Sequence, residues 1–290
     1  MSTSKPVVLI TGCSTGIGRA LAEEFHRRGC SVYATARQLE SLPPLAGLGI
    51  KTLSLDVNDP ESVRQVMQTL QQAGNRLDIL VNNAGFAAMG PIVEMEIEQL
   101  RRQFETNVFS VLAMVQTALP LLLASRQAKV VNIGSVSGIL VSPFAGAYCA
   151  SKSALHALSD ALRIELSPFG IRVITVQPGA IRSHFGATAS RLLSATLKKN
   201  SLYLPIKKAI DDRAMASQVN PTPTDEFARL VVEKIMRKNP PVIVRSGRGC
   251  QGMPLLKRLL PERLLDRILA KKFGLNILAR QDQSPGSDTL

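Results

Sequence analysis

The chain has 290 residues, of which 45% are hydrophobic, enough to bury a full core as one large domain or two small ones. It shows no secretory leader and no apolar run long enough to span a bilayer, and its four scattered cysteines (Cys13, Cys30, Cys149 and Cys250) have neither metal spacing nor disulfide density. A soluble, cytoplasmic protein is therefore expected, without a metal, whose net charge of +13 needs a partner or a solvated surface.

The first predicted element is a short β-branched strand, "PVVLITG", followed by a helix from Ile17 to Arg28 that Gly29 can stop. "SVYATAR" and "KTLSLDV" read as the second and third strands. "ESVRQVMQTLQQAG" is helical and "LDILVNNAG" is the fourth strand. A helix through Leu100 to Leu123 precedes the fifth strand, "AKVVNIGS". A helix carrying Tyr148 follows, then the sixth strand "IRVITVQPG" and, near the end, a seventh, "PVIVRSG". This alternation predicts an α/β fold: a Rossmann-type doubly wound parallel sheet of about seven strands in a single domain, helices on both faces. Ligands of such sheets bind beyond the carboxyl ends of the strands, where the unusual residue clusters of this chain all fall.

At the end of the first strand, "TGCSTGIG" places Gly12, Gly16 and Gly18 in a turn that opens a helix, so backbone amides can face a pyrophosphate. The spacing differs from G-x-G-x-x-G, and alone it would equally suit an ordinary tight turn. The second strand ends on Arg37, where an NAD-preferring site carries a carboxylate. A guanidinium there suits the 2′-phosphate of NADP, with Ser14 adding a hydroxyl; a solvated surface arginine is the alternative. NADP(H) is the expected cofactor.

Across residues 5–245 the chain resembles the short-chain dehydrogenases/reductases. The residues that carry the resemblance are "TGCSTGIG", Asp56 in "LDV", "NNAG" at 82–85, Asn107 in "ETNVFS", Ser135 in "NIGSVSG", "YCASK" at 148–152 and "PG" at 178–179. Within the family, "VYATAR", "SPFAGAYCASK" and "PFGIRV" look most like 17β-hydroxysteroid and retinol dehydrogenase-type members, with acyldihydroxyacetone phosphate reductases as another similar branch. The resemblance implies a catalytic set of Asn107, Ser135, Tyr148 and Lys152. It implies cofactor contacts at Gly12, Ser14, Thr15, Gly16, Ile17, Gly18, Arg37, Asp56, Val57, Asn83, Ala84, Gly85, Tyr148, Lys152, Pro178, Gly179, Ile181 and Ser183. Ser183 stands where the family more often has Thr, and either hydroxyl can reach a carboxamide. Asp56 is expected on the adenine amino group or, more simply, capping a turn. Asn107 would hold a water that links Lys152 to solvent. A homodimer or homotetramer through the helices after the fourth and fifth strands is also implied.

Tyr148 and Lys152 stand one helical turn apart with only small residues between them, so a phenol lies beside an ammonium. A neighbouring cation favours the phenolate, which otherwise forms only near pH 10. Alone, such a pair reads better as a surface contact; with Ser135, Asn107 and the glycine turn it reads as an acid–base site. His26, His156 and His184 lack ligand spacing and are expected to be structural or exposed.

The segments expected to line the substrate pocket, "FAAMGP", "GILVSPF" and the loop with Phe185, are apolar, which favours a lipophilic alcohol or ketone (steroid-, retinoid- or acyl-lipid-like). Residues 1–250 would form the catalytic domain, with about 180–219 as a basic substrate loop. Residues 251–280 would add a basic amphipathic extension, and 281–290 a disordered tail. The extension can cover the pocket mouth, pack on another subunit or lie on a membrane, and Pro261 divides it in two. Nucleic acid is not expected, because no aromatic platform accompanies the charge. A non-catalytic NADP-binding sensor or scaffold, or an epimerase or dehydratase, is the competing reading.

Overall fold

The computed structural model describes residues 5–281. Its centre is a parallel sheet of seven strands: β1 (Val7–Ile10), β2 (Ser31–Ala36), β3 (Lys51–Ser54), β4 (Ile79–Asn82), β5 (Lys129–Ile133), β6 (Arg172–Pro178) and β7 (Ile243–Ser246). They lie in the order β3-β2-β1-β4-β5-β6-β7, so the winding reverses between β1 and β4. All seven expected strands form, and the crevice that a doubly wound sheet opens at such a reversal falls beside the glycine turn.

Residue alternation assigns the two faces. Val8, Ile10, Val32, Ala34, Ile79, Val81, Val131, Ile133, Ile174 and Val176 point to one side, and Leu9, Tyr33, Leu80, Val130 and Val173 to the other. Helices α1 (Gly16–Arg27) and α2 (Pro43–Ala46) cover the first face together with α9 (Thr224–Ile235), through Leu21, Phe25, Leu45, Phe227 and Val231. Helix α3 (Pro60–Gln72) covers the second through Val63, Val66 and Leu70. It starts at Asp59, whose carboxylate accepts the Glu61 N–H (3.0 Å), and Pro60 presets the first turn.

The helix expected from Leu100 begins earlier, as α4 (Ile97–Phe104), passes through a π turn (Glu105–Phe109) and continues as α5 (Ser110–Leu123). By length and composition Ile97–Leu123 is apolar enough to cross a membrane, contrary to the expectation from runs broken by Pro120. Half of it is buried in the protein, with Met114, Val115, Ala118 and Leu122 against the sheet, as in the core helix of a globular domain.

Helix α6 (Gly146–Glu165) carries Tyr148. The stretch expected as a substrate loop folds largely as α7 (Phe185–Thr196) and α8 (Lys207–Met215). The basic extension divides at Pro261 into α10 (Gly252–Leu259) and α11 (Glu262–Lys272), followed by α12 (Leu275–Gln281). Leu269 and Phe273 turn inward to the cluster that α7 and α8 line and Leu265 is buried, whereas Leu255, Leu256, Leu259, Leu264 and Ile268 remain exposed. The remainder of the expected disordered tail, 282–290, lies outside the described residues.

Candidate active site

The glycine turn is built for close approach. Gly12 and Gly16 have φ of +73° and +61°, and a Cβ on Gly18 would stand 2.2 Å from the Gly12 carbonyl oxygen. Asn83 fixes the turn to β4: its Nδ2 donates to the carbonyls of Thr11 (2.9 Å) and Gly12 (3.0 Å). Thr11 Oγ1 in return accepts the N–H groups of Asn83 and Ala84. Thr11 is a member that sequence reasoning did not single out. Ser14, Thr15 and Ile17 complete the turn, and Ser183 faces it, since a Cβ on Gly16 would lie 3.0 Å from that of Ser183.

Arg37 is exposed just beyond β2, with no carboxylate in ion-pair range among the described residues. Asp56 Oδ1 accepts the Asn58 N–H (3.0 Å), which fills the turn-capping role; Val57 follows it, half-buried. After β6, Pro178 and Gly179 bring the chain against the Arg248 carbonyl, too near for any Cβ at 179. Gln218 then braces the segment beyond, donating to the Ile181 carbonyl and accepting the Ser183 N–H.

Asn107 lies in the π turn, fully buried, and its side chain closes three hydrogen bonds. Its Oδ1 accepts the Phe86 N–H (3.2 Å), and Nδ2 donates to the Phe86 carbonyl (3.0 Å) and to Ser151 Oγ (3.1 Å). Asn107 thus ties the loop after Gly85 to α6. A π turn is a common device for aiming one side chain out of helical register, and no single residue announces it in a sequence.

Tyr148 and Lys152 share a face of α6, with Lys152 Nζ 6.0 Å from the centre of the phenol ring. Both are buried. Burial pushes the Tyr148 phenol up to about 12, against smaller downward effects from a Ser135 side-chain hydrogen bond and from Arg213. Burial pushes Lys152 down to about 8, and its Nζ donates to the Ile133 carbonyl at 2.7 Å. Burial is thus the largest influence on both groups in the protein alone. Ser135 follows β5 in extended backbone. Its N–H donates to His156 Nε2 (3.4 Å), and burial holds that imidazole near a pKa of about 4, so it remains a neutral acceptor. His156 is structural, as expected, but it acts on a site residue, which spacing did not show. His184 is exposed.

Around the phenol lies an apolar cluster: Ala87 and Met89 from the loop after β4, Phe144 and Cys149, Leu193 from α7, Ile210 from α8 and Phe273 from the C-terminal extension. Phe185 stacks obliquely on Tyr148, ring centres 5.4 Å apart. The expected lining segments thus converge. Phe144 adopts φ +63°, an unusual strain for a bulky residue, and packs edge-on against Tyr203 and Phe273.

A doubly wound sheet with a glycine cradle at its reversal point, and a Ser–Tyr–Lys group beside it, defines the class of dinucleotide-binding oxidoreductases. A profile for the short chain dehydrogenase family matches residues 6–192, and the chain belongs to that family. A short-chain dehydrogenase/reductase of Pestalotiopsis microspora is 34% identical over 284 residues, spanning 97% of this chain and 98% of the relative. The NADPH-dependent 1-acyldihydroxyacetone phosphate reductase of Schizosaccharomyces pombe is 36% identical over 247 residues, 84% of this chain and 80% of its own. Among solved structures, a short-chain dehydrogenase from Streptomyces avermitilis superposes with a TM-score of 0.76 at 29% identity, covering 97% of this chain and 99% of that one.

Proposed function

We propose that this oxidoreductase uses NADP(H) to interconvert a carbonyl and a hydroxyl on a lipophilic substrate, with Tyr148 as the acid–base group. The observation that carries this reading is a buried phenol that shares a face of α6 with Lys152 and has Phe185 against its ring, inside an apolar cluster at the carboxyl edge of the sheet. A phenol in this position can donate its proton to a forming alkoxide in reduction and take it back in oxidation. The bound nicotinamide supplies the hydride. Ser135 orients and stabilises the substrate oxygen. Lys152 holds the cofactor ribose and lowers the phenol when the site is filled, and Asn107 keeps α6 and the loop after β4 in register and serves the proton relay. The cradle at Gly12, Ser14, Thr15, Gly16, Ile17 and Gly18 fits a pyrophosphate, because a Cβ at 18 would occupy the turn. Arg37 takes the 2′-phosphate, Asp56 and Val57 the adenine, Asn83, Ala84 and Gly85 the cofactor floor, and Pro178, Gly179, Ile181 and Ser183 the carboxamide side. The fission yeast relative, named as an NADPH-dependent reductase of 1-acyldihydroxyacetone phosphate, supports both halves of the reading.

The test is NADPH oxidation over ketosteroids, retinal, acyl ketones and quinones. Turnover on an apolar carbonyl is expected; activity confined to sugars, or to NADH, would count against the reading. A sensor has no need of the phenol, and an epimerase or dehydratase would need further acid–base groups that the described residues of the apolar cluster do not supply.

Two associations extend the proposal. Phe109 on the π turn and Ile164 and Phe169 near the end of α6 are exposed, and we assign them to a subunit interface. Sedimentation velocity is expected to give a dimer or tetramer, and a monomer at micromolar concentration would remove the assignment. The exposed leucines of α10 and α11 are flanked by Arg258, Arg263, Arg267, Lys271 and Lys272; Lys257 pairs with Glu262 (2.6 Å). We assign this face to anionic membrane, each surface cation adding about 1 kcal/mol. The full chain should co-sediment with phosphatidylserine vesicles at low salt and leave them at high salt, whereas protein that ignores such vesicles at low salt contradicts the assignment.

A further inference from the structure

Arg213 is a half-buried cation beside the apolar cluster. It projects from α8 between Ile210 and Ala214, which are both buried against the phenol's neighbours. Its Nε donates to Ser142 Oγ at 2.7 Å, and Ser142 is itself buried in the segment "SPFAGAY" that leads to Tyr148. The side chain makes no other hydrogen bond or ion pair with the described residues, so its terminal amino groups meet no protein acceptor. The part-buried Arg28 and Arg76 differ: they pair with Glu24 and Asp78. The protein offers this guanidinium one neutral hydroxyl, and its terminal amino groups are not among the buried atoms without a partner, so they stay open to solvent or to a ligand. The residue retains some exposure, yet its guanidinium is desolvated enough to lower its pKa. Its field reaches both Tyr148 and Cys149.

We propose that Arg213 receives an anionic group, a carboxylate or phosphate, that the substrate carries close to the carbonyl served by Tyr148. The substrate is then an amphiphile: an apolar body in the cluster of Met89, Leu193 and Phe273, and an anionic head on α8. A planar guanidinium with free terminal N–H groups suits both oxyanions, since each can accept two parallel bonds. This deepens the proposed carbonyl-reducing function and rests on it for the identity of the reacting group.

The test is calorimetric titration of the NADP+-saturated full chain with octyl phosphate, octanoate and octanol. Wild type should bind at least one anion about tenfold or more tighter than octanol, the scale of one charge-assisted hydrogen bond, and the comparison shows which head group fits. Arg213→Gln, which can still donate to Ser142, should abolish that preference, and Arg213→Lys should restore part of it. Equal affinity of wild type for the three ligands overturns the proposal even if no variant folds, and so does an unchanged preference in Arg213→Gln. If Arg213 served only to tune Tyr148, Arg213→Gln would move the pH profile of turnover and leave the ligand preference intact; that result also overturns it. Failure of every ketone to be reduced, with the anion preference present, would remove the reductase reading and leave the Arg213 site standing.

Discussion

Tyr148→Phe is expected to lose about a hundredfold or more in turnover while still binding NADPH, the usual scale for a missing acid–base group. The variant removes one oxygen and little else. The ring remains against Phe185 at 5.4 Å, and the surrounding cluster of Met89, Phe144 and Ile210 is apolar, so the fold has no reason to suffer. Ser135 keeps its bonds to His156 and to the Ser137 N–H. Turnover and melting temperature, measured together, separate chemistry from stability. Near-normal turnover in a folded variant would take the proton transfer away from Tyr148.

Arg37→Asp is expected to weaken NADPH by about a hundredfold or more while changing NADH by only a few-fold. The swap replaces an attraction by a repulsion at a dianionic 2′-phosphate, and each charge-assisted contact is worth roughly 1.5–3 kcal/mol. Arg37 has no carboxylate partner among the described residues whose loss would confuse the reading. Because the residue is exposed, the discrimination should also shrink with added salt. Fluorescence titration with both cofactors measures it, and unchanged relative affinities would place the selectivity elsewhere.

The sheet was legible because its signals are local and redundant. Each strand is a short apolar run ending at a turn, and the alternation seen in Leu9 against Val8 and Ile10 needs only the pleat. The glycine turn and the Tyr148–Lys152 pair were legible for the same reason: the chemistry lies within one turn or one helical step. What escaped was set by tertiary packing. The π turn that aims Asn107 depends on how α4 and α5 seat against the loop at Phe86, and Thr11 acts only because β1 and β4 adjoin. His156 looked idle because its partner, the Ser135 N–H, comes from a different element. Helices α7 and α8 were hidden inside a stretch whose mixed charge and apolar pattern read as a loop. Arg213 carries no signal in the sequence and gains one only because α8 places it beside Ser142. The burial of the phenol was not legible, because spacing reports the neighbouring charge and not the loss of solvent.

The most direct measurement follows the reducing atom. Full-length protein is incubated with an apolar ketone and NADPH deuterated at nicotinamide C4, once with each of the two stereospecific labels. The account predicts that one label, and not the other, passes to the former carbonyl carbon, giving a deuterated secondary alcohol in step with NADPH oxidation. NADPH consumption with no deuterium in the product, or isomerisation of the substrate without net oxidation of the cofactor, would contradict it.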